Sequence, residues 1–202
     1  MHSWVRWTAA MTAGVLVAGA VWLSQRVPAA EVDRVVVAPS VTGELPVLHA
    51  GPVPSIAGAS EWLNSPPLRD KDLVGHVVLV DFWTFGCINC QHTLSHVKAW
   101  FARYASDGLL LVSVHTPEFA YEAEPANVAE YVRREGISYP VTLDPHRVVW
   151  RAWDNHAWPA FYLYDRSGRL RLVHLGEGRY EATEDAIRAL LGVEQSSARA
   201  GP

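Results

Sequence analysis

Residues 77–90 read VVLVDFWTFGCINC, and this one short stretch holds both cysteines of a 202-residue chain. Val77 to Phe82 is nearly continuous apolar sequence, the mark of a strand buried on both faces. After Cys90, apolar side chains fall at Leu94, Val97, Phe101 and Tyr104, the spacing of one helix face, until Asp107-Gly108 stops the pattern. The cysteines therefore sit where a central strand gives way to a helix, with Cys87 at the helix start.

Working outward, LLLVSVH (Leu109 to His115) reads as a second buried strand. PANVAEYVRREG (Pro125 to Gly136) reads as a helix with Pro near its start and Gly after its end. Strand, helix, strand, helix in that order implies a parallel pair with a right-handed crossover. A short YPVTLD strand, a helical HRVVWRAWDN, a PAFYLYD strand, an RLRLVHLG strand and a helix over Thr183 to Leu191 follow. Arg166-Ser167-Gly168-Arg169 joins the last two strands as an antiparallel hairpin. The fold class is α/β: a central mixed sheet flanked by helices, in one domain over residues 60–193 with a tail over 194–202.

Upstream, the domain opens near Ser60 with a short helical turn and a double proline. Residues 27–59 are rich in Pro, Gly, Ala and Val and read as a linker, within which Val35 to Val37 and Leu45 to Leu48 are candidate edge strands. Trp7 to Leu23 carries no charge and lies between Arg6 and Arg26, so residues 1–26 read as an export segment. Its seventeen residues reach about 25 Å as a helix against a hydrocarbon core of roughly 30 Å, which suits either a short membrane anchor or a cleaved signal peptide. Either way the domain is expected outside the cytoplasm, in the periplasm or cell envelope.

Composition narrows the function. A formal charge of -4, with no run of Lys or Arg interleaved with aromatics, argues against a nucleic-acid surface. Two cysteines three positions apart close almost no loop, so they are not there to staple a small secreted scaffold. Thiol chemistry is the alternative. A helix N-terminus offers unpaired N–H groups and partial positive charge that favour a thiolate at Cys87. What the thiolate gains in abundance it partly loses in nucleophilicity, so the larger benefit is that Cys87 becomes a good leaving group. Cys90, one turn further in, is then the resolving thiol, and the pair closes as a Cys87–Cys90 redox disulfide. Its proton needs a base. Asp81 is the candidate, a carboxylate inside a hydrophobic strand six residues before Cys87; the plainer reading is a strand-end Asp that is solvated or paired. No cofactor and no metal is called for.

The stretch resembles the active-site segment of the thioredoxin superfamily, in which an Asp six residues and a Trp four residues before the first Cys are typical; Asp81 and Trp83 match both. WPAFYLYDRSGRLR (Trp158 to Arg171) resembles that superfamily's cis-proline loop and closing hairpin, which implies that Pro159 is the cis-proline facing the cysteines. More narrowly, FWTFGCINC, VHTPEF, YPVTLD, WPAFYLYD and HLGEGRYEATEDAIRALL, in that order over about Glu61 to Leu191, are similar to the extracytoplasmic thioredoxin-like domain of DipZ-type proteins, relatives of the TlpA and ResA reductases. The resemblance implies a thioredoxin-like fold and an extracytoplasmic thiol–disulfide oxidoreductase that reduces client protein disulfides, with cytochrome c biogenesis as one setting. It also implies a separate thiol-transporting membrane partner as the electron source. A cis X-Pro bond leaves the preceding backbone free to pair with an incoming peptide, so Trp158 is expected to flank substrate, with Trp83 and Gly86 near it. Gly86 departs from the pattern, which has Trp before the first Cys, and Ile88-Asn89 lacks the proline common between the two. Glu118, in HTPEF after the second strand, is either a site residue or a surface one. Trp62, Trp100, Trp150 and Trp153 are assigned to packing.

Three other classes compete. Cys87, Cys90, His92 and His96 suggest metal carriage, but His96 lies about 9 Å along the helix from Cys90 at 1.5 Å per residue, too far for shared tetrahedral ligation. The TPEF segment suggests a thiol peroxidase, which peroxide turnover through a sulfenate at Cys87 distinguishes. A non-catalytic binding module is the third, and it gives no reason to keep both thiols.

Overall fold

A computed structural model of the chain describes residues 45–193. The export segment, Val35 to Val37, the linker as far as residue 44 and the tail over 194–202 lie outside the described residues. Ten regular elements follow in order: β1 (Glu61–Leu63), β2 (Val77–Trp83), α1 (Ile88–Tyr104), β3 (Leu109–His115), α2 (Pro125–Arg134), β4 (Val141–Leu143), α3 (Val148–Ala152), β5 (Ala160–Tyr164), β6 (Leu170–Leu175) and α4 (Tyr180–Leu191). The sheet order is β1-β4-β3-β2-β5-β6. β2 pairs parallel with β3, β3 parallel with β4, and the other three pairings are antiparallel, so the sheet is mixed. Among the described residues no helix is long and apolar enough to cross a membrane.

Every residue of β2 is buried, because the strand is central and covered on both faces. Strand alternation divides its side chains. Val77, Leu79 and Trp83 join one core with Cys90, Val97 and Trp100 of α1, while Val78, Val80 and Phe82 join another with Ile56, Trp150 and Trp153. Asp81 shares the parity of Leu79 and Trp83, which puts its carboxyl on the α1 side of the sheet. The buried residues of α1 are Cys90, Thr93, Val97, Trp100 and Tyr104, alternating three and four apart, so the face that carries Cys90 is the face that packs. Past Tyr104 a 3-10 turn ends at Gly108, whose φ of 102° lies in the left-handed region that glycine enters without a Cβ penalty.

One expectation is met elsewhere than at the strand, and one is corrected. The short helical turn expected in the stretch from Ser60 is the 3-10 turn Asp70–Leu73; ahead of it Glu61–Leu63 is a strand that pairs antiparallel with β4, and Asn64, at φ 64°, donates from Nδ2 to the carbonyls of Ile137 and Tyr139 at 2.9 and 3.0 Å. Residues 45–59 are not a free linker, and the candidate edge pairing of Leu45 to Leu48 is present at its end, where the chain bridges β6. Leu45 and Ile56 are buried, Leu48 and His49 bond Leu170 of β6, and Arg171 donates to the carbonyls of Leu45 and Pro46. Pro and Gly suit such an irregular path as well as they suit a tether, and composition alone does not separate the two.

Candidate active site

The carboxyl ends of β2, β3 and β4 and the amino end of β5 meet at one edge of the sheet. Phe82 stands opposite Ala160, so the antiparallel register brings Trp158-Pro159 alongside Trp83-Thr84 and the loop leading to Cys87. The Trp158–Pro159 peptide is cis, and the Pro159 carbonyl accepts from Gly176 N–H at 2.8 Å.

Cys87 is the N-cap of α1: its backbone is extended (φ -78°, ψ 116°) and its Sγ accepts from the Cys90 amide at 3.3 Å. The sulfur thus takes one of the N–H groups that a helix start leaves without an internal partner. Both cysteines are free thiols, Cys87 half-buried and Cys90 buried. Burial pushes the Cys90 thiol far up, and a hydrogen bond with Cys87 and the nearby Asp81 carboxylate push it the same way. Asp81 is 4% exposed; its Oδ2 accepts from Ser113 Oγ at 3.2 Å, and Oδ1 has no partner among the described residues. Burial raises this carboxyl to about 7, against the smaller opposing effect of the Ser113 hydrogen bond. A buried acid that titrates near neutrality beside a buried thiol can take and return a proton.

The loop before Cys87 is held at each step. Thr84 O accepts from Cys87 N–H at 3.3 Å, Phe85 O accepts from Gln91 Nε2 at 2.8 Å, and Phe85 N–H donates to His115 Nε2 at 3.3 Å. His115 is buried and neutral at physiological pH, burial having lowered it to about 4 in spite of the Glu122 carboxylate nearby. Gly86 N–H donates to Glu122 Oε1 at 2.9 Å. Glu122 is fully buried, and its Oε2 accepts from the amides of Glu118 and Phe119 at 2.7 and 2.8 Å.

The expected site residues divide accordingly. Cys87, Cys90, Asp81, Gly86, Trp158 and Pro159 come to this edge. Trp158 is half-buried, donates from Nε1 to Thr116 O at 3.0 Å, and meets the Trp150 ring at 4.2 Å, with the Arg147 guanidinium 5.1 Å from its own ring and 5.7 Å from that of Trp150. Trp83 is 5% exposed and packs edge-on to His115 at 5.0 Å, so it backs the site from the core and offers a partner little surface. Glu118 is exposed and lends Glu122 its amide; the carboxylate that reaches the cysteine loop is Glu122, four residues on. The sequence reading missed Glu122. Its signal is an acid at the third position of the 3-10 turn Ala120–Glu122, reaching back to the amide at the turn's start. Among the described residues no three His, Cys, Asp or Glu side chains gather as metal ligands. His92 instead bonds Glu177 at 2.8 Å, and His96 stacks on Tyr180.

A sequence model described as the AhpC/TSA family matches residues 61–173. Protein DipZ of Mycobacterium tuberculosis (strain CDC 1551 / Oshkosh) is 45% identical over 144 residues, which are 70% of this chain and 21% of that protein. The chain therefore spans about a fifth of the length of its DipZ relatives. Thiol-disulfide oxidoreductase YkuV of Bacillus subtilis (strain 168) is 26% identical over 140 residues, 69% of this chain and 94% of YkuV. Among solved structures, a thioredoxin-like protein in the oxidized form superposes with a TM-score of 0.63 at 28% identity, covering 71% of this chain and 97% of that one. The fold is thioredoxin-like.

Proposed function

From the premise that this chain belongs to the AhpC/TSA family and carries a thioredoxin-like domain, we propose that it is an extracytoplasmic thiol–disulfide oxidoreductase that reduces disulfides of particular client proteins. The observation that carries the reading is the stacked arrangement of three groups: Cys87 capping α1, Cys90 buried one turn behind it with its amide on the Cys87 sulfur, and Asp81 buried on the same face of the sheet. Cys87 attacks a client disulfide, forming a mixed disulfide and releasing one client thiolate. Cys90, giving its proton to Asp81, attacks the Cys87 sulfur, releases the second client thiolate and closes the Cys87–Cys90 disulfide. Trp158 and the cis peptide before Pro159 hold the client strand beside Cys87. The uncharged stretch Trp7 to Leu23 supports export, as an anchor or a cleaved signal, and a separate thiol-transporting membrane protein returns the electrons. Cytochrome c maturation is one setting for the clients.

A Cys90→Ser variant made in cells tests this directly: it accumulates mixed disulfides through Cys87, and mass spectrometry of the trapped partners names the clients. No trapped species, together with a wild-type protein that leaves insulin disulfides intact, overturns the reading. The family match itself favours a second reading, a thiol peroxidase with Cys87 as the attacking sulfur. Peroxide consumption that needs Cys87 and outpaces disulfide exchange is the result that selects it.

A further inference from the structure

Six large hydrophobic side chains are exposed among the described residues, and three of them belong to the cysteine loop or the segment bonded to it: Ile88 at 59%, Phe119 at 53% and Tyr121 at 53%. Ile88 follows Cys87 directly. Phe119 and Tyr121 lie parallel, 6.0 Å apart with 8° between their planes, and Tyr121 meets the Phe85 ring at 5.7 Å. The Tyr121 hydroxyl reaches Gly86 so closely that a Cβ there would lie 2.6 Å from it. Exposed aromatic rings are costly to leave in water, and those beside a reactive group mark where a partner sits.

The segment that carries them is fixed in advance. Glu122 ties it to Gly86, Asn127 donates to Tyr121 O at 2.8 Å, Arg147 donates to Pro117 O at 2.8 Å, and Trp158 donates to Thr116 O. Residues 116–122 are thus bonded on one side to the cysteine loop and on the other to the residue before the cis-proline. A partner that packs on the two rings pays no ordering cost for them. Glu118, exposed next to Phe119 and without an ion pair among the described residues, gives this surface an acidic end.

Resting on the oxidoreductase reading above, we propose that Phe119 and Tyr121 form a docking shelf that selects clients. Its occupant is an extended client segment with an aliphatic or aromatic side chain within two or three residues of the reacting cysteine and a Lys or Arg beyond it. The side chain covers the two rings and the basic residue meets Glu118. Small anionic thiols such as glutathione have no group for the rings and the wrong charge for Glu118. The shelf changes only the rate at which a client disulfide meets Cys87; bonds and electrons pass as already described.

Two synthetic peptides test the shelf, each with one Cys held as a mixed disulfide with 5-thio-2-nitrobenzoate: one has Trp two residues from the Cys and Lys beyond it, the other has Ser at both places. The reduced full-length protein releases thionitrobenzoate about tenfold faster from the first peptide, the discrimination one apolar contact supports. Phe119→Ser alone lowers the ratio, Phe119→Ser with Tyr121→Ser lowers it to what the Lys contributes, and Glu118→Lys lowers it independently because the peptide Lys then meets a like charge. Val74→Ser, at an exposed position beyond the opposite end of β2, leaves the ratio unchanged. Far-UV circular dichroism reports that each variant is folded, and Phe119→Ser alone serves if the double variant is not. Equal wild-type rates, or a preference undiminished in both Phe119→Ser and the double variant, overturns the shelf. So does a dimer that Phe119→Ser dissolves while peptide preference stays. Failure of the underlying reading looks different: neither peptide reacts at a rate that Cys87→Ser abolishes.

Discussion

A Cβ added at Gly86 would overlap Glu122 Oε1 and lie 2.6 Å from the Tyr121 hydroxyl. The glycine is therefore tied to Glu122: the carboxylate that accepts the Gly86 amide occupies the space a side chain would take. The superfamily's Trp at this place and a buried Glu122 in its present position exclude one another. Gly86→Trp accordingly does not restore a better active site. It forces Glu122 away and leaves the amides of Gly86, Glu118 and Phe119 short of an acceptor, at a cost of about 1–3 kcal/mol or more. Urea unfolding of the reduced protein reads this loss, and disulfide exchange slows with it because the loop that aims Cys87 loosens. A variant as stable as the wild type shows that Glu122 is dispensable to the loop.

Among the elements, residues 45–59 have the largest consequence for anyone delimiting the domain. Leu45 and Ile56 are buried, Ser55 and Ile56 bond Asp70 at 2.7 and 2.9 Å, and Trp153 donates from Nε1 to Ser55 O at 3.1 Å. Leu45 joins the core on the α1 side, the arm crosses β6 at the His49–Leu170 bridge, and Leu48, Val53, Ile56 and Ala59 pack on the opposite face of the sheet. A protein starting at residue 60 loses two buried aliphatic side chains, each worth about 1.5–3 kcal/mol, and leaves Arg171 without the carbonyls of Leu45 and Pro46. Compared with residues 45–193, residues 60–193 unfold at a markedly lower urea concentration. Equal midpoints reduce the arm to a passive tether. β1 teaches the same lesson: its three residues are too few to show alternation, and the β4 edge it pairs with is 80 residues away in sequence.

Over the whole molecule, two buried groups on the α1 side of the site titrate in opposed senses. Asp81 is raised from 3.8 to about 7, so the folded state binds the extra proton; the stability it contributes is present below about pH 4 and is lost as pH rises through 7, up to about 4 kcal/mol. His115 is lowered from 6.5 to about 4, so the unfolded state binds the extra proton; its contribution is present above 6.5 and is lost as pH falls through 4, up to about 3 kcal/mol. Between pH 4.5 and 6.5 the two slopes offset each other, and above 6.5 only the Asp81 loss continues. Urea midpoints of the reduced protein, referenced to each variant, separate them: Asp81→Asn removes the decline from pH 6.5 to 8 and exposes a rise from 4.5 to 6.5, whereas His115→Gln leaves a decline across the range. An Asp81→Asn protein that still declines above 6.5 shows that another group carries it. By itself the sequence determined the strand-to-helix junction that holds Cys87 and Cys90 and the closing hairpin, whereas the place of Pro159 came from the resemblance to the thioredoxin superfamily. Junction and hairpin are local patterns, in which period, turn chemistry and spacing act within a few residues. Only the tertiary structure decided that Glu122 rather than Glu118 reaches the cysteine loop, that Trp83 is buried, that Glu61–Leu63 is a strand and that residues 45–59 belong to the domain. Those outcomes depend on which surfaces and carbonyls distant segments bring together, and burial of a charged or aromatic side chain is set by those neighbours.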